Sequence, residues 1–195
     1  RRRRGKTVRE FERAGAELPA TAKARLEKVR VELAQLEQSF SEHVLDATAA
    51  YELLVEDGSR LAGVPEAARR RAQEKAKEKG KRGWLLTLDY PSVEPILKYC
   101  RDRELRREVF VAYQTPCRDG EFDNRPLRAR ILRLRDELAE ILGYEGFPDY
   151  TLEDRMAGSG ARAIGFEANH VTRTRPYWER YVAEVNAHAS TLGIA

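Results

Sequence analysis

Cysteine is nearly absent: Cys100 and Cys117 are the only two in 195 residues. So few exclude a disulfide framework and point to a reducing compartment, the cytoplasm. Histidine is almost as scarce, with His43, His170 and His188 the full set. None stands in a His-Glu-x-x-His pair, and the two cysteines have no neighbouring ligand pattern, so no closed zinc site is legible. Long apolar runs are missing too. None approaches the ~20 residues that span a bilayer, and no membrane partner is expected. The basic start, Arg1 to Lys6, leads into Val8-Arg9-Glu10-Phe11 without the apolar core of a secretory signal. There is no Gly-x-Ser-x-Gly elbow, no P-loop and no Rossmann glycine pattern. No period of 20–50 residues marks a solenoid.

What the chain has is charge. Charged residues make up 35 % and hydrophobic residues 42 %, with a mean hydropathy of −0.65, the composition of a helix-rich soluble protein. The net charge is +4 and the isoelectric point about 9.1. Opposite signs interleave, as in Glu27/Lys28, Glu74/Lys75 and Arg135/Asp136, which is the pattern of solvated helix faces. The one-sided clusters are Arg1–Arg4 and the run from Arg69-Arg70-Arg71 to Lys81-Arg82. They too are expected to be solvated, and no nucleic-acid partner is expected.

Periodicity supplies the elements. Leu26, Val29, Leu33, Leu36, Phe40, Val44 and Ala47 are spaced three and four apart, one stripe of an amphipathic helix over Pro19–Ala50. Val8 and Phe11 predict a shorter helix ahead of it, stopped at Gly15. Tyr51–Val55 and Trp84–Leu88, bounded by glycine and proline, predict a minor strand pair. Pro65–Lys79 reads as a charged surface helix ending at Gly80. Helices resume near Ser92 and at Glu104–Thr115. Asp123 or Asn124 caps the next, which carries Leu127, Ile131, Leu134, Leu138 and Leu142 and closes at Gly143. Tyr144–Tyr150 is expected to be an aromatic connector. A final helix from Ser159 carries Phe166, His170, Tyr177, Tyr181, Val185, His188 and Leu192, with a kink expected at Pro176.

The residues that carry chemistry are thin. Glu167-x-x-His170 is half of a di-iron motif, and no second Glu-x-x-His follows to complete it. His43 lies beside the stripe of the long helix, a packing position. Gly158-Ser159-Gly160 is too short to cradle phosphate and reads as a helix start. Trp84 and Tyr177-Trp178 are placed for packing. No catalytic residue, no metal ligand and no substrate-binding residue is assigned.

Order along the chain says more than any one motif. Phe11-Glu12-Arg13-Ala14-Gly15-Ala16-Glu17-Leu18-Pro19 is followed by Phe40-Ser41-Glu42-His43-Val44-Leu45-Asp46-Ala47-Thr48. Gly83-Trp84, Leu88-Asp89-Tyr90-Pro91-Ser92 and Arg103-Glu104-Leu105-Arg106 come next. Then come Ala112-Tyr113, Asp123-Asn124, Leu134-Arg135-Asp136-Glu137-Leu138-Ala139, Leu142-Gly143-Tyr144 and Arg155-Met156-Ala157. In this order and spacing the chain, from about Lys6 to Ala195, resembles the amino-terminal half of the oligopeptidase A branch of the thimet-oligopeptidase family of zinc metallopeptidases. His43 departs from the family's usual asparagine, Pro116-Cys117 from its usual Arg-Ala, and 164–170 from its leucine-rich helix.

The resemblance implies an all-α fold, a neurolysin-like helical domain with at most a minor β excursion. Residues 1–195 would form one channel-wall domain of a larger cytoplasmic metallopeptidase that cleaves short peptides. Zinc would be the cofactor of the full-length enzyme, held by a His-Glu-x-x-His helix in a carboxyl-terminal half that this sequence does not contain. The leading expectation is therefore a non-catalytic fragment whose partner is that catalytic half, and whose aromatic last helix drives self-association without it. The alternatives are a free-standing helical module that binds peptides or proteins, and a basic nucleic-acid binder motivated by the isoelectric point.

Overall fold

The unbroken three-four spacing from Leu26 to Ala47 folds as one helix, α2, over Ala20–Ala50. Pro19 sits just ahead of it, where its fixed φ suits the opening turn and its carbonyl accepts from the Lys23 N–H at 2.9 Å. The computed structural model describes residues 2–193; the side chains of Arg2–Lys6 and Arg9 lie outside that description. The basic cluster Arg1–Arg4 therefore falls outside the described side chains. In chain order α1 (Arg2–Arg13) precedes α2, and β1 (Leu53–Val55), α3 (Glu66–Glu78), β2 (Trp84–Leu86), α4 (Tyr90–Tyr99) and α5 (Arg103–Gln114) follow it. The chain ends with α6 (Arg125–Ile141), α7 (Phe147–Leu152) and α8 (Gly160–Thr191). Among the described residues the fold is helical, with one two-stranded sheet.

Two compact units divide it. The first is Arg1–Val29 with Leu134–Ala195, the second Arg30–Arg133. In the first unit α1 ends at Gly15, whose φ of +89° closes a Schellman turn: Gly15 N–H donates to Glu12 O and Ala16 N–H to Phe11 O. A Cβ there would lie 2.8 Å from Leu26, so glycine is needed twice over. Arg13 then ties α1 to α7 and to the segment after it. Its guanidinium donates to the Tyr150 carbonyl at 2.6 Å, pairs with Asp154 at 3.2 Å and lies over the Tyr150 ring. The buried apolar residues here are Leu26, Val29, Leu134, Leu138 and Ala139.

The second unit holds a contiguous core of Val55, Leu61, Val64, Ala72, Leu86, Leu88, Val93, Ile96, Cys100, Leu105 and Val109. β1 and β2 pair antiparallel in the register Leu53–Leu86, Leu54–Leu85, Val55–Trp84. Asp102 fastens α5: one carboxylate oxygen caps Leu105 N–H at 3.0 Å and the other accepts from Arg60 Nε at 2.8 Å. That hydrogen bond to Arg60 is the main cause of the lowered Asp102 pKa.

Two boundaries differ from those the sequence predicts. The segment read as an aromatic connector is helical from Phe147, because Pro148 fits its first turn and Tyr144, Phe147 and Tyr150, three apart, pack ring against ring. α4 begins at Tyr90 rather than Ser92, with Pro91 in the opening turn and Pro95 inside the helix. α3 is mostly exposed, as expected of a charged surface helix, and its thin alanine stripe, Ala72 and Ala76, is buried, since alanine lets the helix approach the sheet closely. α8 continues through Pro176 as helix.

Candidate functional site

His43, the histidine of α2, is anchored rather than poised. Asn124 is its partner and is 5 % exposed. Asn124 Nδ2 donates to the Phe40 carbonyl at 3.0 Å, and its Oδ1 lies 2.9 Å from His43 Nδ1. Cys117 joins them, donating its thiol to the His43 carbonyl at 3.2 Å while its own carbonyl accepts from Asn124 N–H at 3.0 Å. Its φ of +57° is unusual for a residue with a side chain. His43 and Cys117, both departures from the family pattern, therefore meet in one knot that pins the 115–124 loop to α2. Burial pushes the Cys117 thiol up, and the nearby Asp123 charge adds to it. Burial raises Cys100 likewise. Neither thiol is prepared as a nucleophile.

The remaining sequence candidates stand apart. His170 stacks on Phe166 and shares exposed stretches of α8 with Glu167. Among the described residues no group of three or more His, Cys, Asp and Glu is placed to hold a metal ion. Ser159 caps α8, accepting from Arg162 N–H, and Gly160 N–H donates to Asp149 at 2.8 Å, so the Gly-Ser-Gly segment starts a helix as its sequence predicts.

The basic run around α3 is largely consumed locally. Arg70 pairs with Glu66, Lys75 with Asp89, and Lys79 and Lys81 both with Glu52. Hydrogen bonds from Lys79 and then Lys81 hold the Glu52 pKa down to about 2. Arg69 lies over the Trp84 ring, 5.7 Å from its centroid.

Beside this run lies a cavity of about 420 Å³, a volume in the range of small-ligand pockets. α3, β2 and α4 form it. Its floor is apolar, from Leu61, Val64, Ala72, Leu85, Leu86 and Ile96, and its polar residues are Arg69, Arg71, Lys75, Asp89 and Ser92. A second hollow of about 420 Å³ lies over Phe40, Val44 and Cys117, with Arg118, Arg125 and Arg128 along it. There Asp123 is bound to Arg125, which brings its carboxyl down to about 2. The sequence reading missed both hollows. Arg71 was hidden inside a charge run, and nothing in the local pattern separated Asn124 from Asp123.

The model of peptidase family M3 matches residues 96–194. The chain belongs to peptidase family M3. Among M3 relatives it is similar to oligopeptidase A of Salmonella typhimurium and of Escherichia coli, 37 % identical to each over 187 residues. Those matches cover 93 % of this chain and 28 % of each relative. Dipeptidyl carboxypeptidase of Escherichia coli is 31 % identical over 179 residues, 91 % of this chain and 26 % of that protein. The chain thus spans about 28 % of the length of the oligopeptidases it matches. It corresponds to the amino-terminal region of the oligopeptidase A and thimet branch of the M3 family.

Proposed function

We propose that this chain is the non-catalytic amino-terminal helical region of a zinc-dependent oligopeptidase that hydrolyses short peptides. In that reading it forms a wall of the substrate channel. One observation carries it: 37 % identity runs over 93 % of the chain yet only 28 % of the relative. The rest of such a protein holds the zinc chemistry, a metal-activated water attacking the peptide carbonyl. The residues present here do not fit zinc. The sequence has no His-Glu-x-x-His, and among the described residues no side-chain group is placed to coordinate a metal ion.

What this region supplies is surface and shape. Phe166 is 72 % exposed, Tyr177 67 %, Trp178 63 % and Tyr181 58 %, all on α8. Aromatic area of this extent is characteristic of an interaction face. Its partner in the proposal is the catalytic remainder of the peptidase.

The test is an assay of the 195-residue chain alone with a quenched short peptide and added zinc. No turnover is expected. Zinc-dependent turnover that survives repurification would overturn the reading. The free-standing peptide-binding module remains the second reading, favoured by the self-contained core of residues 30–133.

A further inference from the structure

We infer that the cavity formed by α3, β2 and α4 binds the carboxyl-terminal residue of a short peptide, its apolar side chain inside and its free carboxylate on Arg71. The inference rests on short peptides being the substrate class of the family protein. Three observations on the cavity support it.

The first is size and lining. The volume of about 420 Å³ over Leu61, Val64, Ala72, Leu85, Leu86 and Ile96 is of the order a leucine or phenylalanine side chain needs, and its floor is apolar.

The second is charge. Arg69, Arg71 and Lys75 contribute three positive groups and Asp89 one negative. Lys75 and Asp89 satisfy each other at 2.6 Å, and Asp89 also accepts from Thr87 Oγ1 at 3.0 Å. Arg69 is laid over Trp84. Arg71 makes no ion pair among the described residues, while its neighbour Arg70 is engaged by Glu66. Of the two cavity arginines without an ion pair, Arg69 is laid over the Trp84 ring, and the planar fork of Arg71 is the one with no such contact and matches a carboxylate.

The third is the fixed frame. Ser92 Oγ accepts from Thr87 N–H at 3.1 Å, so the wall next to Asp89 is held by hydrogen bonds rather than by an incoming ligand. An apolar pocket with one uncommitted cation selects a small amphipathic anion. A peptide's last residue has that chemistry, with an amide on the other side of its α-carbon.

The experiment is an NMR titration of the isotope-labelled 195-residue chain with N-acetyl-leucine, N-acetyl-leucinamide and hexanoate. N-acetyl-leucine should bind saturably in the millimolar range and shift the amides of Leu61, Ala72 and Leu85. The amide, lacking the charge, should bind about tenfold more weakly, as should the acid to Arg71→Gln. Arg71 is exposed, so that variant keeps the fold, and Ala68→Leu, which fills the cavity from its wall, should abolish binding. Equal binding of acid and amide, an unchanged Arg71→Gln, or no saturable shift would overturn the inference. Hexanoate binding as tightly as N-acetyl-leucine would overturn the assignment to a peptide end. The titration reads this cavity alone and turnover by the longer protein reads the substrate class, so either can fail without the other.

Discussion

His43 Nδ1 lies 2.9 Å from Asn124 Oδ1, joining residues 81 positions apart. The Asn124 amide is oriented by its second bond, Nδ2 to the Phe40 carbonyl, which leaves Oδ1 as the acceptor and places the imidazole proton on Nδ1. The start of α6 and the 117–124 loop are thereby fixed to α2 by hydrogen bonds from buried and half-buried side chains. Phe122 closes the arrangement with its ring edge toward His43, centroids 6.0 Å apart.

Asn124→Ala should therefore destabilise the protein by about 1–3 kcal/mol, because it removes a buried amide that bonds both the Phe40 carbonyl and His43. Urea unfolding midpoints measure this. A change within experimental error would show that the knot is decoration.

Leu105 is fully buried in the core of residues 30–133. Leu105→Ala should cost about 2–5 kcal/mol, the transfer term plus the cavity it leaves. Val31, 52 % exposed on α2, is the control, and Val31→Ala should change stability by less than about 0.5 kcal/mol.

Tyr144 sets an alkaline limit. Burial and then its hydrogen bond to Glu153, at 2.6 Å, raise its pKa from 10.0 to about 12. A folded pKa above the unfolded one means the contribution is complete below about pH 10 and is lost as pH rises toward about 12. Tyrosinate absorbance should show a late step near 12 that Tyr144→Phe removes, while Tyr51, raised by burial and then by Glu108, still titrates above the ordinary tyrosine range. Titration of every tyrosine in a single step near 10 would contradict the Tyr144–Glu153 contact.

α8 should make the isolated chain associate. Phe166, Tyr177, Trp178 and Tyr181 are each more than half exposed on it, apolar area that a second copy would remove from water. Sedimentation should show self-association that weakens when Tyr177 and Trp178 are changed to serine. A strictly monomeric chain at high concentration would favour the free-standing module.

The long helix was legible because the stripe from Leu26 to Ala47 has no interior glycine or proline to interrupt it. The strand pair was legible from its glycine and proline bounds, although each strand shortens to three residues. α7 was not legible. Aromatic residues and a proline together read as a turn, and only packing between their rings shows that the backbone is helical. The cavity was hidden for a different reason. Its polar residues come from α3, from the residues after β2 and from the start of α4, and α3's basic run looked uniform until its ion pairs were assigned. The family itself was legible from the order of short segments such as Leu88-Asp89-Tyr90-Pro91-Ser92 and Leu142-Gly143-Tyr144, none of them chemical.

The most direct test of the central claim is to sequence the encoding gene beyond the Ala195 codon. The account predicts an open frame that continues for several hundred codons and encodes a His-Glu-x-x-His helix. A stop codon directly after Ala195 would contradict it and leave a helical module without peptidase chemistry.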